Sequence, residues 1–270
     1  MASEHVDVRW REPESTPTEA KIVLEHAERS WERIATILGP GRAPQHRLTI
    51  RLEGDAERGE IPTVDLDTGE VVLVRLQGVG GAYESSLTHE MVHAFRLDLV
   101  RQKQLQTDAF IYLEELLAEL VAMEAGFPSQ GFPTYGYPVE IVAGAWIERD
   151  EDLPIPTLIR HHLALNFRCL PQAYGLRLAF GTWLRSRVGL DRLIQLGYKE
   201  EPLTPEGMEQ ALGSSLASLS AEWRKDAAAQ FETVKEGTKK AREYRERTPI
   251  QYFPVCTRDA LAEFEVNSAL

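Results

Sequence analysis

The chain has 270 residues, of which 43% are hydrophobic and 27% charged, the balance of an ordinary globular protein with a sizeable core. Its formal net charge of −12 argues against nucleic acid or an anionic membrane surface as a partner, because both attract clustered positive charge. No apolar run approaches the roughly 20 residues that cross a bilayer, and the polar start lacks the layout of a secretory signal, so the sequence predicts a soluble, cytoplasmic protein.

The first part of the chain predicts a loose arm, one helix and a small sheet. Residues 1–17 contain two prolines and little apolar pattern, which is typical of a loose N-terminal arm. Apolar side chains at three- and four-residue steps predict a helix over 18–38. Alternating apolar residues predict a strand at 46–52 and a hairpin within 62–75.

Helical periodicity dominates from residue 84 onward. Five segments carry it: 84–102, 107–125, 139–149, 171–188 and 206–233, the last in two pieces. The Pro/Gly/aromatic stretch 127–138 is the kind of loop that often borders a site. The chain is therefore predicted to comprise a loose arm over 1–17, an α/β lobe over 18–102, a helical lobe over 103–233 and a C-terminal extension over 234–270. The expected fold class is α+β, with a small mixed sheet packed on the helix over 84–102.

That helix carries the motif His89-Glu90-Met91-Val92-His93. Residues four apart project from the same face of a helix one turn apart, so both imidazoles can reach a single Zn²⁺. Glu90 lies beside them, where it can take a proton from a metal-activated water and return it to a leaving amine. The motif predicts a catalytic zinc site with His89 and His93 as ligands and Glu90 as general base. The alternative is an ordinary helix face whose histidines are satisfied by local carboxylates.

A third ligand is expected from the next helix, because catalytic zinc takes three protein ligands and keeps one open position. Glu115 returns beside the histidines if the chain turns near residues 103–106 and the helix runs antiparallel. Glu119, one turn further on the same face, is placed to accept the free ring N–H of His89. Glu114 lies on a different side of the helix and is assigned to solvent.

Together the two helices, LTHEMVHAF followed by YLEELLAEL, resemble the gluzincin metallopeptidases, in particular the peptidase MA-like branch. There the helix after HExxH reads approximately W-L-x-E-G-x-A-E, and the glutamate before the glycine is the third zinc ligand. The resemblance gives this role to Glu115, with Leu116 in place of the glycine and Tyr112 in place of the tryptophan. It implies a zincin-like fold.

A further segment, AYGLRLAF from residue 173, is similar to the tyrosine helix of that family. The tyrosine that opens this helix in related aminopeptidases donates a hydrogen bond to the oxyanion of the tetrahedral intermediate. The resemblance gives that role to Tyr174, and His161 and His162 are alternative donors. The likeness covers about residues 84–231.

The function predicted from these features is zinc-dependent hydrolysis of a peptide or protein substrate. Gluzincin aminopeptidases carry a G-x-M-E-N stretch ahead of the zinc helix, and residues 69–84 contain nothing like it, so an endopeptidase is favoured. The strand at 71–75 is a candidate to pair with an extended peptide. Two alternatives stay open: a catalytically inactive zincin-fold binding or regulatory protein, and a zinc amidohydrolase with a non-peptide substrate.

Overall fold

The computed structural model describes residues 1–11, 15–55, 62–75, 82–127, 139–168 and 170–246. The fold class is α+β, as predicted, with a small four-stranded mixed sheet and a large majority of helix. The chain forms two compact units. The first combines residues 1–106 with 114–130, and the second combines 107–113 with 131–270.

The sheet belongs to the first unit. Its strands are β1 (Val6–Trp10), β2 (Leu48–Asp55), β3 (Thr63–Val64) and β4 (Val71–Arg75), in the order β1-β2-β4-β3. The first three in that order run parallel, and β3 runs antiparallel to β4 in the predicted hairpin. Alternate side chains of one face are buried, as a half-covered sheet requires, and this set comprises Val6, Val8, Leu48, Ile50, Leu52, Val71 and Leu73.

Helices α1 (Pro17–Leu38) and α2 (Ala82–Phe95) pack against the sheet in this unit. α1 begins with a capping box, in which Thr16 and Glu19 satisfy each other's backbone N–H groups. It packs on β1, while α2 contacts α1, β3 and β4. A buried hydrogen bond of 2.9 Å joins the hydroxyls of Ser30 on α1 and Thr88 on α2. The sheet and α1 together therefore fix the position of α2.

Helix α2 ends at Phe95, and Arg96 separates it from α3 (Leu97–Arg101). A 3₁₀ turn (Lys103–Leu105) and α4 (Asp108–Glu124) follow. The single helix predicted over 84–102 is thus two helices. The division between the two compact units falls inside α4, whose residues from Glu114 onward belong to the first unit.

The second unit is helical. Its helices are α5 (Val139–Glu148), α6 (Ile155–Arg160), α7 (His162–Arg168), α8 (Leu170–Val188), α9 (Leu190–Gly197), α10 (Pro205–Leu212) and α11 (Leu216–Glu246). α5 packs closely on α11 at Gly144, where an added Cβ would lie 2.5 Å from Cβ of Phe231 and 2.9 Å from the carbonyl oxygen of Ala227. The core here includes Trp223, whose ring meets Phe180 edge-on at 5.7 Å.

Several segments differ from the sequence-based expectations. Residues 6–10, predicted as part of a loose arm, form β1 and pair with β2. The strand at 71–75 was expected to pair with an extended peptide. It lies between β2 and β3, and β3 already pairs with its residues Val71 and Val72. Residues 128–138, most of the predicted loop, and 247–270, most of the C-terminal extension, lie outside the described residues.

The expectation of two helices within 206–233 is confirmed. The region 206–233 forms two helices, α10 and α11, separated at Gly213 with a left-handed φ of 74°. Among the described residues, no helix is long and apolar enough to cross a bilayer.

Candidate metal centre

The two histidines lie on the less buried side of α2. Leu87, Met91 and Val92 are fully buried, since they face the rest of the first unit. His89, Glu90 and His93, on the same helix, are intermediate in solvent exposure. The i, i+4 spacing places both imidazoles on one face, as the sequence predicts.

Three side chains converge at one point beside this face. Nε2 of His89 and Nε2 of His93 are 3.1 Å apart. The carboxylate of Glu115 on α4 bridges them, with Oε2 3.7 Å from His89 Nε2 and Oε1 3.6 Å from His93 Nε2. Ligands about 2.0–2.1 Å from a tetrahedral zinc lie about 3.4 Å from one another, so these separations fit a single ion. In the described part of the chain, this is the one group of three such side chains close enough to hold a metal.

Both imidazoles turn their other nitrogen toward a glutamate. Nδ1 of His89 lies 2.9 Å from Oε1 of Glu119, a close charge contact that is not aligned as a linear hydrogen bond. Nδ1 of His93 lies 3.2 Å from Oε1 of Glu114. A carboxylate at Nδ1 keeps the proton there and leaves the Nε2 lone pair for a metal. The sequence-based placement of Glu119 beside His89 agrees with this geometry.

Glu114 is buried, so its sequence-based assignment to solvent is wrong. It is 4% exposed, and Oε2 of its carboxylate accepts hydrogen bonds from Arg96, at 2.7 Å from Nε and 2.6 Å from Nη2. The assignment failed because α4 is buried on nearly every side, including Leu113, Leu116 and Leu117. A helix that is apolar all round is a buried helix, and each acidic residue in it needs a partner. The apolar residues on all sides of this helix therefore already indicated, in the sequence, that Glu114 is buried with a partner.

Burial and the surrounding carboxylates shift the ionisation of the two histidines. Burial alone lowers the pKa of His89, but the contact with Glu119 and the charges of Glu90 and Glu115 together outweigh it and raise that pKa to about 9. The pKa of His93 is also raised, because the hydrogen bond to Glu114 and the charge of Glu115 exceed the effect of burial. Without a metal, the site therefore retains protons on imidazole at neutral pH.

The pKa values of the two neighbouring carboxyl groups, Glu90 and Glu114, shift in opposite directions. Burial raises the pKa of Glu90, although His89 and His93 partly offset the effect. Burial would also raise the pKa of Glu114, but Arg96 and His93 hold it below its ordinary value. Glu90 follows His89 directly on α2, and the charges of His89, His93 and Glu115 all act on its pKa. Arg96 balances the charge of Glu114, and the remaining carboxylates beside the histidines make the site electrostatically suited to a divalent cation.

The candidate oxyanion donors lie in the second unit. Tyr174 is on α8, with its ring under the guanidinium of Arg177 at 4.6 Å. His162, at the start of α7, is buried and has Nε2 3.4 Å from Nη1 of Arg177. His161 caps the end of α6. The metal centre belongs to the first unit, so a catalytic role for Tyr174 stays a prediction.

Comparison with protein-family models, with characterised proteins and with solved structures gave no match. The resemblance to gluzincins therefore rests on residues of this sequence alone. Those residues are the HExxH motif of α2, Glu115 and Glu119 of α4 and the segment AYGLRLAF of α8.

Proposed function

We propose that this protein is a zinc-dependent hydrolase that cleaves peptide bonds, with His89, His93 and Glu115 as the metal ligands. The observation that carries the proposal is the convergence of three ligand atoms within 3.1–3.7 Å. The carboxylates next to both Nδ1 atoms reinforce the proposal, because they favour the proton on Nδ1. A proton on Nε2 instead would block metal binding there.

The donor set supports a catalytic rather than a structural metal. Two imidazoles and one carboxylate leave the fourth tetrahedral position open, as catalytic zinc requires, whereas structural sites are closed by four protein ligands. The side chain of Glu115 is 30% exposed, so the ligand position is accessible from solvent. An inactive scaffold would have no need of a base next to the metal, and Glu90 is present.

A zinc ion supplies Lewis-acid chemistry: it makes water a stronger acid and polarises a carbonyl group. Glu90 is the proposed general base, which accepts a proton from the attacking water and delivers it to the leaving amine nitrogen. A carboxylate next to the first histidine of the motif can serve both steps, since it can accept a proton and release it again. Tyr174 is the proposed donor to the developing oxyanion, as the resemblance implies.

A zincin-like arrangement is part of the proposal. It is supported by the packing of α2 on β3 and β4 and by a third ligand on the following long helix. Because β3 covers part of β4, an extended substrate would add to the outer edge of Thr63–Val64.

The test compares zinc-loaded wild type with Glu90→Gln in the cleavage of a mixed peptide library, read as new termini by mass spectrometry. We expect Glu90→Gln to keep its zinc and to lose hydrolysis by about 10²–10⁴-fold, the usual contribution of a general base. Glu84→Gln is the matched control, because it alters another carboxylate of α2 that pairs with His26 instead.

Unchanged cleavage in Glu90→Gln would contradict the assigned base. A zinc-loaded wild type that cleaves no peptide would favour a non-peptide amide substrate or an inactive binding protein. The same assay reports on Tyr174, since Tyr174→Phe should lower turnover by about 10²–10³-fold and leave KM nearly unchanged.

A further inference from the structure

Arg96 stands between α2 and α3, and its guanidinium is buried next to the candidate metal centre. Its side chain is 0% exposed. Its side chain makes no capping hydrogen bond to α3, whereas its backbone carbonyl accepts from Leu99 and Val100 as that of any residue there could, so local helix formation does not explain the arginine side chain. Burying an arginine is costly unless its charge is matched. The cost is offset here by Glu114, which also touches a proposed ligand.

The hydrogen bonds of Arg96 orient the Glu114 carboxylate. Both Nε and Nη2 contact the same oxygen, Oε2, at 2.7 and 2.6 Å. The other oxygen, Oε1, is left facing Nδ1 of His93 at 3.2 Å. Two donors from one rigid fork fix the carboxylate more tightly than a single point charge does. The contacts therefore form a chain from Arg96 through Glu114 to His93.

We propose that Arg96 is a positioning residue of the metal centre, which acts through Glu114 to hold the His93 ring with Nε2 toward His89 and Glu115. This inference rests on the proposed function, because it concerns the same site. The observed route from Arg96 to the ligands runs through Glu114, whose Oε2 faces Arg96 and whose Oε1 faces His93.

A purely electrostatic role for Arg96 makes the opposite prediction. A guanidinium close to a cation site repels the cation, so removal of the charge alone would tighten zinc binding. Removal of a positioning residue weakens zinc binding, because the unrestrained His93 must be ordered when the metal binds. The sign of the change distinguishes the two roles.

The experiment measures the zinc dissociation constant of the 270-residue protein by competition with a chromophoric chelator. We expect Arg96→Met to weaken zinc binding by about 10–100-fold, the range for residues that hold a metal ligand. Arg96→Lys, which keeps the charge but loses the fork, should weaken it by about tenfold. Arg33→Met is the matched control in the same unit, since Arg33 donates to the carbonyl of Ala125 after α4 and lies apart from the ligands.

A double-mutant cycle tests the route through Glu114. If Arg96 acts through that carboxylate, the Arg96→Met, Glu114→Gln double variant should bind zinc within about threefold of Glu114→Gln. Thermal melting checks that each variant folds, and Arg96→Lys replaces Arg96→Met in the cycle if the latter does not fold.

Wild-type protein that binds no zinc would contradict the proposed function. Zinc binding that is unchanged or tighter in the folded Arg96 variants, or losses that add independently of Glu114, would overturn the positioning role alone.

Discussion

Three glutamates on one helix, Glu114, Glu115 and Glu119, have different environments because of their angular positions. Glu115 and Glu119 are one turn apart on one face and reach the two nitrogens of His89. Glu114 is rotated by about 100° and reaches His93 from the other side, next to Arg96. Identical side chains can therefore serve as a ligand or as partners of the ligands.

The raised histidine pKa values predict that zinc binding depends on pH well above neutrality. Zinc binds neutral imidazole, so protons must leave as it binds. With a pKa of about 9, His89 alone releases one proton over this range, so the zinc dissociation constant should fall at least tenfold per pH unit from pH 6.5 to 8.5. A proton released by His93, whose pKa is also raised, would steepen the slope. Competition titrations at several pH values measure this slope.

Glu119→Gln is the control for this slope, because Glu119 makes the main contribution that raises the pKa of His89. In that variant the pH dependence should level off at a lower pH. A dissociation constant that is already flat above pH 7 in the wild type would show that both imidazoles have ordinary pKa values near 6.5.

The metal-free protein should respond to pH in the opposite direction. A histidine whose pKa is raised on folding contributes stability that is fully present below about pH 6.5, its unfolded pKa, and is lost as the pH rises toward 9. The melting temperature without zinc should therefore fall across that window, and excess zinc should reverse the trend.

At the level of elements, α2 and α4 carry the site and the contact between α5 and α11 shapes the second unit. Gly144 lies at that contact, where an added Cβ would lie 2.5 Å from Phe231 Cβ and 2.9 Å from a backbone oxygen. Gly144→Ala should lower the free energy of unfolding by about 1–3 kcal/mol, because a packed backbone must shift to admit the methyl group. Chemical denaturation measures the change.

Gly207→Ala on α10 is the control for that substitution. Its added Cβ would meet Thr204 Oγ1 at 3.4 Å, an ordinary contact, and alanine favours helix over glycine by up to about 1 kcal/mol. Its stability should be unchanged or higher. Equal effects of the two substitutions would show that α5 and α11 are not packed closely at Gly144.

The long helices could be predicted from sequence because their apolar periodicity extends over several turns, as in α1 and α11. The short elements could not. β1 has only two buried residues, Val6 and Val8, and follows a polar start, so its alternation is too brief to recognise. α6, α7 and α9 have six to eight residues each, which is too little periodicity to separate a helix from a loop.

At the level of the whole molecule, the sequence predicted the cluster of His89, His93 and Glu115 more completely than the fold around it. HExxH specifies its own geometry, since four residues make about one helical turn, and Glu115 needed only an antiparallel return of the chain. Glu114 and Arg96 were missed because their pairing depends on the break after α2 and on the burial of α4. Both are tertiary features that a local pattern does not contain.

The central claim is that His89, His93 and Glu115 bind one zinc ion, and X-ray absorption at the zinc edge tests it most directly. Protein loaded with one equivalent of zinc and then desalted should retain the metal. Its spectrum should show two imidazole nitrogens with light oxygen or nitrogen ligands, all about 2.0–2.1 Å from the ion. His93→Ala should lose the metal or one imidazole shell. Loss of zinc from the wild type on desalting, or a six-coordinate shell of oxygens without imidazole, would contradict the claim.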